Sequence, residues 1–188
     1  MSELERWQTR FGTADYIFGK EPNAFLKAQA SRLPASGSAL SIADGEGRNG
    51  VWLAQQGLDV LAVDFSPVAL EKSRALAEER GVPLRTEVAD VTSWRWPADA
   101  FDVVVAIFVQ VVFPAERTVF FANLKRALKP GGLLLMQGYR TEQLIYRTGG
   151  PPESERLYTR ALLQEAFGLG RAAGAIGKLL GAIALHQQ

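Results

Sequence analysis

The residues whose types and spacing best suit chemistry are Gly45, Gly47 and Gly50, in the run Ala39-Leu-Ser-Ile-Ala-Asp-Gly-Glu-Gly-Arg-Asn-Gly50, and Asp64, which ends Leu58-Asp-Val-Leu-Ala-Val-Asp64. The order is apolar strand, glycine turn, helix and second apolar strand closed by an acid. That is the βαβ pattern that holds a nucleoside across the carboxyl ends of parallel strands. Lacking a Cβ, Gly45 and Gly47 allow a tight turn and close approach of a ligand to backbone, while Gly50 falls early in a helix beginning near Arg48. An ionised Asp64 offers only acceptors, which suits the paired hydroxyls of a ribose. The expected ligand is therefore an adenosine-containing cofactor. The same letters spell the dinucleotide fingerprint, whose acid follows at roughly 20 residues, so an NAD(P)-dependent oxidoreductase stays open on this motif alone, as does an ordinary strand-to-helix turn.

Composition removes other chemistries. With no cysteine and a single His186, the chain has no disulfide, thiolate metal site, cysteine nucleophile or conventional Ser-His-Asp triad, and no metal is expected. Its 21 basic and 20 acidic side chains create no large net field, so a nucleic-acid partner is disfavoured. The apolar stretch 103–113 contains Gln110 and is too short to span a bilayer, and the first residues carry no signal-peptide pattern. A cytoplasmic location without membrane attachment is expected. A length of 188 residues at 47% hydrophobic and 22% charged predicts one globular domain.

These residues need elements to position them. After a polar start, Glu21-Pro-Asn-Ala-Phe-Leu opens a helix with Leu26, Ala30 and Leu33 at i, i+4 and i+7, ended by Pro34. Strands are expected over 39–43 and 59–64, with a helix between them that carries Val51, Ala54 and Leu58 and stops near Gly57. Ser66-Pro67 starts a helix reaching Arg80, because serine caps and proline is already set at the helical φ. Leu84 to Val88 alternates like a short strand, and Phe101 to Phe108 is a β-branched run suited to a central parallel strand. Pro114 opens a helix with Phe121, Leu124 and Leu128 inward, and Lys129-Pro-Gly-Gly132 breaks it before Leu133-Leu-Leu-Met-Gln137. Five strands alternating with helices predict α/β architecture, a single doubly wound Rossmann-like domain with a mostly parallel sheet.

Four features in this order resemble the class I S-adenosylmethionine-dependent methyltransferases: Gly45-Glu-Gly-Arg-Asn49, Asp64, Ala89-Asp90 and Lys129-Pro-Gly-Gly132. The segment Asp15-Tyr-Ile-Phe-Gly-Lys-Glu-Pro-Asn-Ala-Phe-Leu26 resembles the cap of the tellurite-resistance and thiopurine methyltransferase-like small-molecule branch. The resemblance implies S-adenosyl-L-methionine as cofactor and methyl transfer to a small-molecule acceptor by direct in-line displacement. It divides the chain 1–188 into a cap and helix (1–38), a nucleoside-binding core (39–139) and an acceptor-side loop with tail (140–188).

It also implies roles for residues. Tyr16, Phe18 and Gly19 would cover the methionine end, Asp64 would hold the ribose and Phe65 would pack on the adenine. Asp90 would accept from the adenine amino group beside the backbone of Val91, and Ile107, Phe108 and Gln110 would sit at the end of the strand that borders the cofactor. Packing or turn-capping alternatives stand beside these roles, aromatic packing for the cap residues and capping for the two acids.

Two departures from the family pattern are evident. Where many relatives carry an acid this chain has Ser41, with Asp44 next to Gly45 instead; the methionine ammonium is thus expected on backbone carbonyls near Ala43, with Asp44 secondary. The family's sheet usually ends in an antiparallel pair, for which residues 170–188 look too short.

No dedicated base is required, since the cofactor carries the reactivity; Tyr16, Tyr139 and Arg140 are the candidates should an acceptor need one. The connection 138–152 is the expected acceptor lid, because substrate loops collect at this edge. Arg48 and Asn49 are expected to be structural, and Glu116, Arg117 and the charged series 71–80 to be solvated faces. Tyr16-x-x-x-Lys20 has the spacing of a reductase pair but precedes the nucleotide fold, which makes it a coincidence. A catalytically silent cofactor-binding or interaction protein of the same fold remains an alternative.

Overall fold

The apolar run Phe101–Ile107 occupies the middle of the sheet, as a segment buried on both faces must. In the computed structural model, which describes residues 2–146, 149–168 and 180–186, the strands are β1 (Ser38–Ile42), β2 (Asp59–Asp64), β3 (Arg85–Val88), β4 (Phe101–Ile107), β5 (Leu128–Tyr139) and β6 (Leu180–His186). They lie in the order β3-β2-β1-β4-β5-β6, and every pairing is parallel. The order reverses direction between β1 and β4, the switch point where open α/β sheets bind ligands.

Helices α1 (Glu3–Phe11), α2 (Ala24–Ala28), α3 (Arg48–Gln55), α4 (Pro67–Glu79), α5 (Pro114–Ala127), α6 (Gln143–Tyr146) and α7 (Arg160–Phe167) connect and cover the strands. Period-two alternation splits the core between the two faces of the sheet. Leu40, Val104 and Leu134 pack with Phe121 and Leu124 of α5, whereas Ala39, Val103 and Leu135 pack with Leu26 of α2 and Leu53 of α3. Ser66 caps α4 through Ala69 N–H, with Pro67 in the first turn.

The α/β class, the doubly wound order and the parallel sheet agree with expectation; several details differ. The polar start folds as α1, with a capping box in which Ser2 and Glu5 bond each other's backbone. The helix expected through Leu33 ends at Ala28 and continues only as a 3₁₀ turn, Ala30–Arg32, leaving Ala30 exposed. Residues 129–132 interrupt β5 as a bulge: Phe101 pairs with Leu128 and Val103 with Leu133. In place of an antiparallel finish, β6 lies parallel to β5. Residues 169–179 of the tail are outside the described residues. Among the described residues no helix is long and apolar enough to cross a membrane.

Candidate active site

All parallel strands end at one edge, so the turns after β1, β2, β3, β4 and β5 meet there. The turn after β1 has three residues at positive φ, Ala43 (47°), Gly45 (61°) and Gly47 (91°), before α3 begins at Arg48. Asp44 is turned inward: its carboxylate accepts from Ser41 Oγ at 2.7 Å and from Gly50 N–H at 3.1 Å. A Cβ at Gly50 would stand 2.5 Å from that carboxylate, and one at Gly47 would stand 2.7 Å from the Ser73 backbone. Both glycines thus serve helix packing against this turn as well as its curvature.

Asp64, 4% exposed, accepts from Gly45 N–H and Ser66 N–H, each at 2.9 Å, one on each carboxylate oxygen. Each oxygen has a second acceptor position, so both ribose hydroxyls can still be met. Burial pushes the Asp44 carboxyl up to about 6 and raises that of Asp64, against the lowering effect of their hydrogen bonds. Neither acid makes an ion pair among the described residues. Phe65 is half-buried beside Asp64.

Asp90 is exposed after β3 and its Oδ1 accepts from Thr92 N–H and Oγ1, an Asx turn. The Val91 side chain enters the core, and its carbonyl accepts from the Trp96 indole. Ile107 is buried at the end of β4, and Phe108, at φ 58°, stacks on Tyr139 with centroids 4.4 Å apart.

The cap lies over the glycine turn through Phe11, whose ring would be 3.5 Å from a Cβ at Gly45. Tyr16 donates its hydroxyl to the Lys72 carbonyl on α4. That contact anchors the cap, and burial raises the phenol further from use as a base. Phe18 is 47% exposed, with the Arg48 guanidinium 5.5 Å from its ring centre and bonded to its carbonyl. Gly19, at φ 72°, has open space where a Cβ would stand. Asn49 accepts from Asn23 N–H, a structural tie as expected.

Sequence reasoning missed two side chains here. Lys72, read as part of a solvated face, instead reaches the buried Glu46 and the carbonyls of Phe11 and Asp15. Glu46 in turn accepts from Ile17 N–H. Neither partner has a local signature, since the two are joined only by the fold. Gln110, expected beside the cofactor at the end of β4, donates its amide N–H to the Tyr139 and Arg156 carbonyls and so ties β5 to the chain before α7.

On the acceptor side the connection after β5 folds back on itself. Gln143 donates to the Pro151 carbonyl, and a Cβ at Gly150 would stand 2.6 Å from the Tyr139 ring. Arg140 is paired with Glu142, and desolvation raises the Tyr139 phenol. Residues 147 and 148 of this connection are outside the described residues. Among the described residues no cluster of His, Cys, Asp and Glu could hold a metal ion.

Comparison with known proteins agrees with this geometry. A family model described as a methyltransferase domain matches residues 39–132, half of the chain. A phosphatidylethanolamine N-methyltransferase of Cereibacter sphaeroides is 27% identical over 135 residues, covering 70% of this chain and 66% of that protein. A protein of Arabidopsis thaliana named as a pectin methyltransferase, QUA3, is 30% identical over 119 residues, covering 61% of this chain but 20% of its own length. The matches therefore span less than two thirds of either relative.

Among solved structures, one concerned with conversion of a disulfide bond into a thioacetal group during echinomycin biosynthesis superposes at a TM-score of 0.68 with 21% identity, over 90% of this chain and 79% of the other. A TehB-like S-adenosylmethionine-dependent methyltransferase from Corynebacterium glutamicum superposes at 0.52 with 24% identity, over 68% and 66%. Both similarities speak to the fold alone. The family match, by contrast, runs from the first strand to the turn at 129–132, half of the chain, and by it the chain belongs to the methyltransferase-domain family.

Proposed function

We propose that the protein transfers a methyl group from S-adenosylmethionine to a small-molecule acceptor, and that it does so as a single methyltransferase domain in the cytoplasm. The cofactor follows from the family and supplies, when bound, an electrophilic methyl carried on a sulfonium. The observation that carries the reading is the pair of buried acids, Asp44 and Asp64, at the carboxyl edge with no ion pair among the described residues. Asp64 keeps an unused acceptor position on each oxygen for the two hydroxyls of a ribose, and a cationic donor nearby lowers the cost of keeping both carboxylates charged.

In this reading Asp64 holds the ribose through its remaining acceptor positions, and Asp90 takes the adenine amino group through the carboxylate oxygen its Asx turn leaves over. Phe65, the Val91 backbone, Ile107 and Phe108 wall the base and sugar. Because Asp44 is turned into the loop, the ammonium group is assigned to backbone carbonyls near Ala43. Tyr16, Phe18 and Gly19 cover the methionine end and exclude water. Alignment of the acceptor behind the methyl carbon then supplies most of the rate, with proximity alone able to lower a barrier by about 7–11 kcal/mol.

The lid at 138–152, closed over Tyr139, gives the acceptor its wall, and the tellurite- and thiopurine-like branch is proposed on the cap segment 15–26. Isothermal titration with S-adenosylhomocysteine and NADP is the first test; binding of the dinucleotide alone overturns the reading in favour of an oxidoreductase. Transfer from labelled donor to thiols, chalcogen oxyanions and phenols is the second, and donor binding without turnover on any class would assign a silent binding role.

A further inference from the structure

We propose that the Glu46–Lys72 ion pair is the staple that fastens the N-terminal cap over the bound donor, making both side chains positioning residues for methyl transfer. The inference rests on the proposed role of the cap in covering the donor. Glu46 lies between Gly45 and Gly47, in the turn that approaches the cofactor, and is 3% exposed. One of its carboxylate oxygens accepts from Ile17 N–H at 2.8 Å and the other from Lys72 Nζ at 2.5 Å. Lys72 projects from α4 and also donates to the carbonyls of Asp15, at 2.7 Å, and Phe11, at 3.1 Å. The Tyr16 hydroxyl returns to the Lys72 carbonyl at 2.9 Å, closing the circuit.

The pair therefore binds cap backbone from two sides, once through the turn and once through α4. Stability alone is a weak reason for such a pair, because well-packed apolar replacements of buried ion pairs are often as stable. What an apolar pair cannot do is make directed bonds to the end of α1 at Phe11 and to the irregular chain at Asp15 and Ile17. The cap cannot lift without breaking those bonds, and the turn cannot shift without moving Glu46. A ligand that fixes the turn thus favours the closed cap, and the closed cap by the same amount favours the ligand.

The test uses the full chain and S-adenosylmethionine as probe, with Lys72→Met, Lys72→Arg and Glu46→Gln. Lys72→Met should raise the donor dissociation rate tenfold or more and raise KM for donor, while kcat at saturating donor changes less than twofold. Glu46→Gln should raise the dissociation rate severalfold, and Lys72→Arg, which keeps the cation, should recover much of the wild-type rate. Hydrogen exchange at the Ile17 amide should slow when donor binds wild-type protein and slow less in Lys72→Met and Glu46→Gln. Loss of stability alone would not change that donor-dependent increment. If donor protects Ile17 in wild type but dissociation rates are unchanged in the variants, the staple is wrong and the cap reading survives. If donor gives wild-type Ile17 no protection, the cap does not cover the donor and both readings fall. Should Lys72→Met not fold, Glu46→Gln and Lys72→Arg decide in the same way.

Discussion

The two ends of the parallel sheet treat their acids in opposite ways. At the amino end Asp102, beginning β4, accepts from Lys129 Nζ at 2.7 Å and from Ser38 N–H and Oγ, each at 2.8 Å. The lysine beside it and those hydrogen bonds hold its carboxyl well below the usual range, at about 2. At the carboxyl end Asp44 and Asp64 are more deeply buried, take only neutral donors, and are pushed upward instead. The amino end compensates its charge with a lysine in direct contact, whereas at the carboxyl end Arg48 acts on Asp44 only from beyond ion-pair distance. Where charge is left unbalanced in a fold that otherwise balances it, binding is the economical explanation.

The largest expected effect comes from removing the acid proposed to hold the sugar. Asp64→Ala should weaken S-adenosylhomocysteine binding about 100-fold, near 2.7 kcal/mol, the scale of two hydrogen bonds to a charged group. Calorimetric titration checks it, with Asp64→Asn as the variant that keeps one acceptor oxygen and sets an amide donor against the N–H of either Gly45 or Ser66. A loss smaller than threefold in both would mean that the carboxyl end is not special.

Of the same size is the pH dependence of folding. Because burial raises the Asp44 carboxyl to about 6, the native state binds its proton more tightly than the unfolded chain does. Its contribution to stability is therefore fully present below the usual carboxylate range and is lost as pH rises through about 6. The shift of about two units corresponds to about 3 kcal/mol. Denaturant unfolding of wild type and Asp44→Asn between pH 4 and pH 7.5 should show this fall in the first and a much flatter curve in the second. Parallel curves would mean that the turn solvates the acid well enough without a ligand.

Much of this contrast was legible in the sequence. The run from Phe101 announced a strand buried on both faces, and Gly45, Asp64 and Ser66-Pro67 marked the strand ends that make the crevice. The interior roles were not. Lys72 sits among Glu71, Arg74 and Glu78, where helical spacing favours a solvated face, and only the folded chain brings it against Glu46. Helix α1 was hidden by Glu3, Glu5, Arg6 and Arg10, whose charges mask the Trp7–Phe11 stack at i, i+4, although the Ser2 and Glu5 capping box was readable. Asp44 was seen as an acid near the ligand, but its inward turn depends on Ser41 and the missing Cβ of Gly50, contacts that spacing does not specify.

The amino end should respond more weakly and in the opposite sense. Asp102 lies partly in solvent, so Asp102→Asn or Lys129→Met should cost about 1 kcal/mol at pH 7, within the range for a hydrogen-bonded pair near the surface. Its contribution is present above the usual carboxylate range and is lost as pH falls toward about 2. Thermal unfolding from pH 7 to pH 2.5 should show that loss in wild type and not in Asp102→Asn. Donor affinity should stay within twofold, and a larger change would show that the two ends communicate.

The smallest expected effect concerns Tyr139, at the carboxyl end but on the acceptor side. Its phenol is raised above its ordinary value by desolvation, with Arg48 pulling the other way, so at pH 7 it is protonated and has no vacancy for a proton. Its ring packs on Phe108 and lies beneath Gly150, contacts that phenylalanine also makes. Tyr139→Phe should therefore leave kcat with a thiol acceptor within twofold, because a thiol needs no strong base, while Tyr139→Ala should raise acceptor KM through loss of the wall. A fall of tenfold or more in Tyr139→Phe, with donor affinity unchanged, would place proton transfer at that hydroxyl. The uncompensated charge at this end would then serve the acceptor as well as the donor.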